Sequence, residues 1–414
     1  MQKTVSSNPM EKTTLICCAQ NASEKDDKGG GLCLEDCISG LPDVILVSIL
    51  SLLTMKEAGR SSLLSKRWRY VWTYITDLNF DASHIIYGLE LEDKELEEGR
   101  PFYLSWVNQV LNSFNGPCID QFRVQFDLDE TCRFDIDNWV NFAIEKRVKR
   151  LDLDLFQSGR TTEGYNFPDT DRITNHLHSL SLGFTRCNSL TNLLLKDVNV
   201  TGQVLEDFLT NCPFLEQLSV AKSECLVNLK VHSLKLKRLE ITYCGNVESI
   251  EISAMNLVSF NYSGPKISQP FKNVNELVEL NIGGAYYDYL IYNFFEISSY
   301  LSHLESLTLT MTSVELELLK RKQQRIRQSF ASRPHQYLKV VEFIGFVGRT
   351  NDAELAMYLI KNAVVLEKIT FDSHRPFLIG TPWEHEDTKE RKAARKRAKH
   401  FRKKLPAGVA LVIL

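Results

Sequence analysis

A short apolar pattern that recurs along most of the chain constrains its fold more than any other feature. In each copy, an apolar residue is followed three positions later by a second and five positions later by a third, as in Leu190, Leu193 and Leu195. Further copies start at Leu215, Leu236, Leu257, Leu277 and Leu304, at intervals of 25, 21, 21, 20 and 27 residues by subtraction. Units of this length cannot bury their own apolar face, so the pattern predicts a solenoid of stacked repeats.

The period and the pattern are those of leucine-rich repeats, which we expect over residues 119–333. Looser copies start at Ile119, Val148 and Leu177, so we expect roughly seven to nine repeats in all. The last two apolar residues of each copy alternate with polar ones, which predicts a short strand. The segments between copies, such as residues 204–213, predict outer helices or coil. The fold class is therefore α/β, with short parallel strands and an outer layer of helix or coil.

The polar positions of the predicted strands form the candidate target-binding surface. Solenoids often bind partners on their concave face, although such a face can also be solvated sheet without a partner. The positions assigned to target binding are Asn192, Gln217, Arg238, Glu240, Asn261, Glu279 and Asn281. The aromatic residues between Gly284 and His303, among them Tyr286 and Tyr287, are either a ligand platform or part of the core.

Residues 33–76 predict a separate helical module. Pro42 and Asp43 suit the start of a helix, and the residues from Val44 to Leu53 are apolar except for Ser48 and Ser51. Such a helix is apolar around nearly its whole circumference, and a module of about 40 residues is too small to cover it. A partner protein is the simplest way to bury the remaining surface.

These residues resemble an F-box, in the form found in plant proteins that combine it with leucine-rich repeats. The resemblance rests on Leu41-Pro42-Asp43, the leucines through Leu53, the segment 61–68 and Trp72. It implies an all-helical module that docks on the Skp adaptor and, through it, on the cullin of an SCF ubiquitin ligase. The residues implied for adaptor binding are Leu41, Pro42, Leu50, Leu53, Leu63, Leu64, Arg67 and Trp68.

Two positions depart from similar sequences. Thr54 stands where they usually carry proline, and Gly59 stands where they usually carry a larger apolar residue. We therefore expect a looser turn and a looser start of the second helix. If these changes abolish adaptor binding, the alternative is a leucine-rich-repeat scaffold that acts without the ligase.

The remaining segments complete the domain plan. Residues 1–32 are polar and predict a disordered arm, and residues 77–118 predict a linker and a capping helix. Beyond His335 the apolar pattern continues at Leu338 and Leu366, around a helix-like stretch at residues 352–362. This order resembles the FBD region that ends many plant F-box and leucine-rich-repeat proteins. The resemblance implies that residues 334–414 cap the solenoid, and it implies no chemistry.

The C-terminal basic run from Lys389 to Lys404 has two readings. An apolar stripe at helical spacing favours the last outer helix of the array, followed by a final strand at residues 409–414. The density of lysine and arginine also suits a nuclear localisation signal or a nucleic-acid patch.

Composition limits the partners and the location of the protein. The 49 Lys and Arg residues nearly cancel the 52 Asp and Glu residues, which leaves a net charge of -3. We therefore expect no nucleic acid and no membrane as a partner, unless a local patch supplies the charge. The ten cysteines form no repeating framework, and no apolar run is long enough for a membrane span. These features predict a reduced protein of the nucleus, the cytoplasm or both.

Enzyme signatures are scarce. The sequence contains no phosphate-binding glycine loop and no H-E-x-x-H zinc motif. His176 and His178 could share one side of a strand, but they have no cysteine pair nearby, so we expect no metal and no cofactor. The leading hypothesis is a non-catalytic substrate-recognition subunit of an SCF-type ubiquitin ligase. A hydrolase hidden in the solenoid is a weaker alternative.

Overall fold

The computed structural model describes residues 38, 40–82, 93–156, 163–168, 187–287, 289–290, 303–311, 334–374 and 388–414. These residues divide into two compact units. The first unit holds the described residues up to Asn166 together with residues 187–192, and the second holds residues 167–168 and those from Leu193 onward. The predicted disordered arm, the repeat copy at Leu177 and the pair His176 and His178 lie outside the described residues.

The first unit begins with a small helical module, as the sequence predicts. Its helices are α1 (Asp43–Leu50), α2 (Met55–Arg60) and α3 (Trp68–Val71), with 3₁₀ turns at Ser61–Leu63 and Trp72–Tyr74. The apolar core of the module consists of Leu46, Leu50, Met55, Ala58, Trp68 and Val71.

Three parallel strands and two helices complete the first unit. They are β1 (Asp77–Asp81), α4 (Asp93–Ser113), β2 (Gln121–Gln125), α5 (Arg133–Glu145) and β3 (Arg150–Asp154). Strand β2 pairs with β1 on one side and with β3 on the other. Helix α4 lies where the sequence predicts a capping helix. Strand β1 corrects the predicted linker, because Leu78 and Phe80 are buried in register with Phe122 and Val124.

A buried ion pair ties α4 to the loop that follows β2. The guanidinium of Arg100 donates to Asp127 Oδ1 at 2.8 Å and to Asp129 Oδ2 at 2.6 Å. Both carboxylate side chains are only 2 % exposed. Burial raises the pKa of Asp129, but hydrogen bonds from Thr131 and the charge of Arg100 outweigh burial and lower this pKa below its ordinary value. The positive charge of Arg100 therefore stabilises both buried carboxylates and fixes α4 to the loop after β2.

The second unit is built on one parallel sheet. Among the described residues its strand order is β4, β5, β7, β9, β10, β11, β12, β13, β14. These strands are β4 (Asn192–Lys196), β5 (Gln217–Ala221), β7 (Arg238–Thr242), β9 (Ser259–Ser263), β10 (Glu279–Gly283), β11 (Ser306–Thr310), β12 (Val340–Ile344), β13 (Lys368–Asp372) and β14 (Ala410–Ile413). The outer elements are α6 (Gly202–Asn211), β6 (Asn228–His232), β8 (Ser249–Ser253), α7 (Thr350–Asn362) and α8 (Lys389–Lys399).

The predicted repeat residues pair with their equivalents in the neighbouring repeats. Leu218 aligns with Leu239, which aligns with Phe260, and the same register continues to Leu280 and Leu307. All of these side chains are at most 2 % exposed. Because each repeat contributes one layer to a shared core, the leucine-rich-repeat prediction is confirmed.

The outer layer differs from the prediction at one place. Helix α6 confirms the predicted return helix, but β6 and β8 are short strands that pair with each other in parallel. Leu229 and Ile250 are buried on the inner side, while the alternate residues Asn228 and Ser249 are exposed. Both segments alternate apolar and polar residues, which is the period of a strand and not of a helix.

The C-terminal region continues the same sheet. Strand β12 pairs with β11, β13 with β12, and β14 with β13. The hydroxyl of Tyr287, which follows β10, donates to Asp352 Oδ1 on α7 at 2.8 Å. Burial raises the pKa of Asp352, although Arg349 and the Tyr287 hydroxyl act in the opposite direction. The region therefore packs on the repeats and closes the array, as the sequence predicts for its helix and final strand.

Removing the Arg100 guanidinium tests the link between α4 and the first sheet. The Arg100→Ala variant leaves two buried carboxylates without their cation, so we expect β2 to lose about 3 to 5 kcal/mol of stability. Hydrogen exchange of the β2 amides in a urea series measures this loss. Arg123→Ala is the control, because Arg123 is 32 % exposed beside Asp81 and Asp152, and we expect it to cost about 1 kcal/mol or less. Equal losses in the two variants would contradict this role of Arg100.

Candidate functional site: the exposed apolar face of the helical module

Helix α1 and the turn that follows it leave most of their apolar side chains in solvent. Only Leu46 and Leu50, one helical turn apart, are buried in the module. The side chains of Val44, Ile45, Ile49, Leu52 and Leu53 are 75 %, 46 %, 39 %, 85 % and 44 % exposed. The helix therefore uses one narrow stripe for its own core and leaves an apolar face of several residues uncovered.

The segment before α3 adds two further exposed leucines. Leu63 and Leu64 are 66 % and 71 % exposed. The guanidinium of Arg67 donates to Asp43 Oδ1 at 2.6 Å and also to the carbonyl oxygen of Leu41. Because these bonds hold residue 67 at the start of α1, they keep the segment with Leu63 and Leu64 in a defined position within the module.

The residues predicted for adaptor binding fall into two groups. Pro42, Leu53, Leu63, Leu64 and Arg67 are exposed, and Leu41 is half-buried. Leu50 and Trp68 are 2 % and 5 % exposed, so in this structure they support the module from inside, and no partner could reach them without repacking. The role of the eight residues in binding stays a prediction.

Four further exposed residues of this face are absent from the set predicted for binding. Val44, Ile45, Ile49 and Leu52 were not assigned to binding, although they surround the buried pair Leu46 and Leu50. Their positions around the helix axis, relative to the buried stripe, would have identified them. Once Leu46 and Leu50 mark the inner stripe, their neighbours at other angles must face outward.

Thr54 corrects the expectation of a loose turn. Its φ angle is -64°, the value that a proline ring imposes, so threonine holds the backbone conformation that proline would have. Its hydroxyl accepts a hydrogen bond from the Glu57 N–H at 3.3 Å, and Glu57 Oε2 accepts one from the Thr54 N–H at 3.0 Å. The backbone and side-chain hydrogen bonds with Thr54 lower the pKa of Glu57. This capping box starts α2 firmly.

Gly59 does not leave a gap in the core of the module. A Cβ atom built at Gly59 would have no atom within 4 Å apart from its chain neighbours and the backbone of its own helix. The larger residue of similar sequences would therefore point away from the core of this module, and its absence does not weaken the core.

The candidate target surface consists of polar strand residues, of which Asn192 belongs to the first unit and the other six to the second. Asn192, Gln217, Arg238, Glu240, Asn261, Glu279 and Asn281 lie on strands, and each is exposed or half-buried. Glu240 is held from both sides, because Ser219 donates to its Oε2 at 3.1 Å and Asn261 donates to its Oε1 at 2.8 Å. The structure therefore presents these side chains to solvent, and their role in target binding stays a prediction.

A cavity of about 800 Å³ lies beside the module within the first unit. Leu52 and Leu53 line it from the turn after α1, Asp77 and Asp81 from β1, and Trp106 from α4. Lys56 and Arg60 also line it, so part of the predicted binding segment faces a groove with apolar, acidic and basic side chains.

Other candidate sites have simpler explanations. Tyr286 and Tyr287 are buried core residues and not a surface platform. No group of three or more His, Cys, Asp or Glu side chains in the described part of the chain could hold a metal ion. Within the same residues, no helix combines the length and the apolar character that crossing a membrane requires.

Comparison with known families assigns the same three regions. The F-box domain matches residues 38–76, the At1g61320/AtMIF1 LRR domain matches residues 110–317, and FBD matches residues 335–371.

Two relatives from Arabidopsis thaliana illustrate the similarity. The chain is 33 % identical over 224 residues to F-box protein At5g03100, which covers 51 % of this chain and 64 % of that protein. It is 31 % identical over 280 residues to F-box/LRR-repeat protein At3g59200, which covers 60 % of this chain and 50 % of that protein. The chain thus spans between half and two thirds of the length of these relatives.

Substitution of Thr54 tests whether the capping box orders the module. Thr54→Ala removes the hydroxyl cap, so we expect α2 to lose about 1 kcal/mol and its amides to exchange about fivefold faster. Hydrogen exchange of residues 55–60 in the full chain measures this change. Thr54→Ser keeps the hydroxyl and should restore protection. A slow-exchanging α2 in Thr54→Ala would show that the cap is dispensable.

Proposed function

The chain belongs to the F-box/LRR-repeat proteins that also carry an FBD region, and on this premise we propose that it is a substrate-recognition subunit of an SCF-type ubiquitin ligase. In this role the F-box module binds the Skp adaptor, and the adaptor connects it to the cullin. The leucine-rich repeats bind a protein target.

The observation that carries this proposal is the uncovered apolar face of the F-box module. Exposed leucine, isoleucine and valine side chains surround a core that uses only Leu46 and Leu50 of α1. A soluble monomer rarely leaves such a patch in water, and contiguous patches of this kind usually mark protein interfaces. The match to the F-box family supports an adaptor as the partner.

The proposed mechanism needs no catalytic group in this chain. A receptor that holds a target beside a ubiquitin-loaded enzyme raises the effective concentration of the target at that enzyme. The ligase chemistry would then occur on other subunits.

The polar strand positions of the second unit are the proposed site for the target. Glu240 is the best-placed residue, because the hydrogen bonds from Ser219 and Asn261 fix its carboxylate before any target arrives. A pre-ordered side chain loses less conformational entropy on binding than a mobile one. Arg238, on the same strand, supplies an exposed positive charge.

Replacing three exposed leucines of the module tests the adaptor interface. We expect Leu52→Ser, Leu63→Ser and Leu64→Ser in one chain to weaken adaptor binding by at least about 100-fold, because all three lose apolar contact area. Calorimetric titration of the full chain with a purified plant Skp adaptor measures the affinity. The control carries Phe214→Ser, Leu234→Ser and Val364→Ser, whose side chains are 53 %, 64 % and 63 % exposed outside the module. Its affinity should match that of the wild type.

The outcomes separate the two functions that the sequence leaves open. Equal losses in both triple variants would remove the proposed face from the interface. A folded wild-type chain that binds no adaptor would favour the scaffold that acts without the ligase. Trp68→Ala is a poor probe of the interface, since Trp68 is 5 % exposed and its loss would unfold the module.

A further inference from the structure

The C-terminal helix carries a charge opposite to that of the whole chain. From Lys389 to Lys404, ten residues are lysine or arginine, and Glu390 is the one acidic residue. The complete chain has a net charge of -3. A helix with this charge therefore creates a local positive field that the composition of the chain conceals.

The structure separates the residues of this helix into two opposite faces. The inner face consists of Arg391, Ala394, Ala398 and Phe401, all buried. The outer face carries a row of exposed lysines, which are Lys389, Lys392, Lys396, Lys399 and Lys403. The first four follow one another at steps of three and four residues, so they share one side of α8, and Lys403 lies in the 3₁₀ turn His400–Lys403 that continues the helix. We call them the lysine row, and at about 1.5 Å per residue it is about 20 Å long.

The helix is anchored to the sheet and does not form a loose basic tail. The ring of Phe401 stacks on Phe371 of β13 with ring centroids 4.9 Å apart. Arg397 donates to the carbonyl oxygen of Val347 at 2.8 Å. The Thr388 hydroxyl accepts from the Arg391 N–H at 3.2 Å and caps the start of the helix. The backbone that carries the lysine row is therefore anchored to the sheet before any ligand binds.

We propose that the lysine row binds the phosphodiester backbone of a nucleic acid. A basic stripe along one helix face is the electrostatic footprint of nucleic-acid binding. Lysine contacts phosphates as a point charge and adds no base specificity, so the site reads the backbone and not the sequence.

The chemistry of the outer face argues against the other anionic partners. Protein interfaces are depleted in lysine and are anchored by aromatic or apolar side chains, and the lysine row contains neither. Helices that lie on membranes bury their apolar face in lipid. Here that face is already covered, because Ala394 and Ala398 of α8 and Phe401 of the following 3₁₀ turn are buried. A linear row of charges matches a linear polyanion better than either surface.

The proposal refines the expectation drawn from net charge. A value of -3 averages over the chain and excludes a chain-wide basic surface. It does not exclude a local patch. The site is independent of the F-box, so binding of the adaptor and of nucleic acid can be measured separately.

The salt dependence of binding to a labelled duplex tests the proposal. For five phosphate contacts, the affinity of the full chain for a 20-base-pair DNA should fall about 500-fold between 50 and 200 mM salt. In the variant with Lys396→Gln, Lys399→Gln and Lys403→Gln, we expect weaker binding at 50 mM salt and a fall of only about tenfold over the same range. Fluorescence anisotropy measures both affinities, and a 20-nucleotide RNA serves as the second nucleic-acid probe.

A matched variant controls for the change in total charge. Lys230, Lys235 and Lys361 are exposed lysines outside α8. Their replacement by glutamine removes the same charge and should leave binding and its salt dependence unchanged. Thermal unfolding should give the same midpoint for both variants and the wild type, because all six side chains are exposed.

Three results would overturn the proposal. One is the absence of binding to both nucleic acids at 50 mM salt. Another is an equal loss of nucleic-acid affinity in the two triple variants, which would show that only the net charge of the chain matters. The third is tighter binding to phosphatidylserine vesicles or to poly-glutamate than to nucleic acid, which would assign the lysine row to a membrane or to an acidic protein.

Discussion

The stacking of one repeat on the next is the interaction on which the solenoid depends. Each repeat offers two strand side chains, such as Leu239 and Ile241, that become buried only when the flanking strands align with them. No single repeat has enough surface to form a core alone. The parallel register, the outer elements and the polar strand face all follow from this requirement, because the strands must run side by side with their apolar residues inward.

In each unit, a helix outside the strands has anchoring contacts of its own. In the first unit, α4 is fixed by Arg100 between two buried carboxylates. In the second unit, α8 packs Phe401 on Phe371 and leaves its lysines outside. The helical module has the opposite property, since α1 buries only Leu46 and Leu50. The exposed apolar side chains around this pair are the observation on which the proposed adaptor interface rests.

The sequence predicted the features that depend on periodicity. The apolar residues at steps of three and two positions identified the strands at Leu193, Leu218 and Leu239, because burial of alternate residues leaves a direct trace in the sequence. Helices α6 and α7 were found for the same reason. The capping helix and the last outer helix were also found, since both combine apolar spacing with a clear charged face.

Features that depend on contacts in three dimensions could not be predicted from the sequence. Strand β1 offers two alternating apolar residues, Leu78 and Phe80, which is a weak pattern by itself. It forms a strand because β2 pairs with it. The burial of Leu50 and Trp68 depends on how three short helices pack, which the sequence pattern does not give. The turn at Thr54 is fixed by two reciprocal hydrogen bonds with Glu57. The loss of the usual proline predicts a looser turn, because it does not reveal these bonds. Glu240 stands out only when its neighbours Ser219 and Asn261 are brought beside it.

Hydrogen exchange of the full chain with and without a purified plant Skp adaptor tests the central claim most directly. If the apolar face of the module is the adaptor interface, the amides of residues 43–53 and 61–67 should gain protection, and the strands β4 to β14 should not change. Protection that appears on those strands, or no protection in the module although the complex forms, would contradict the account.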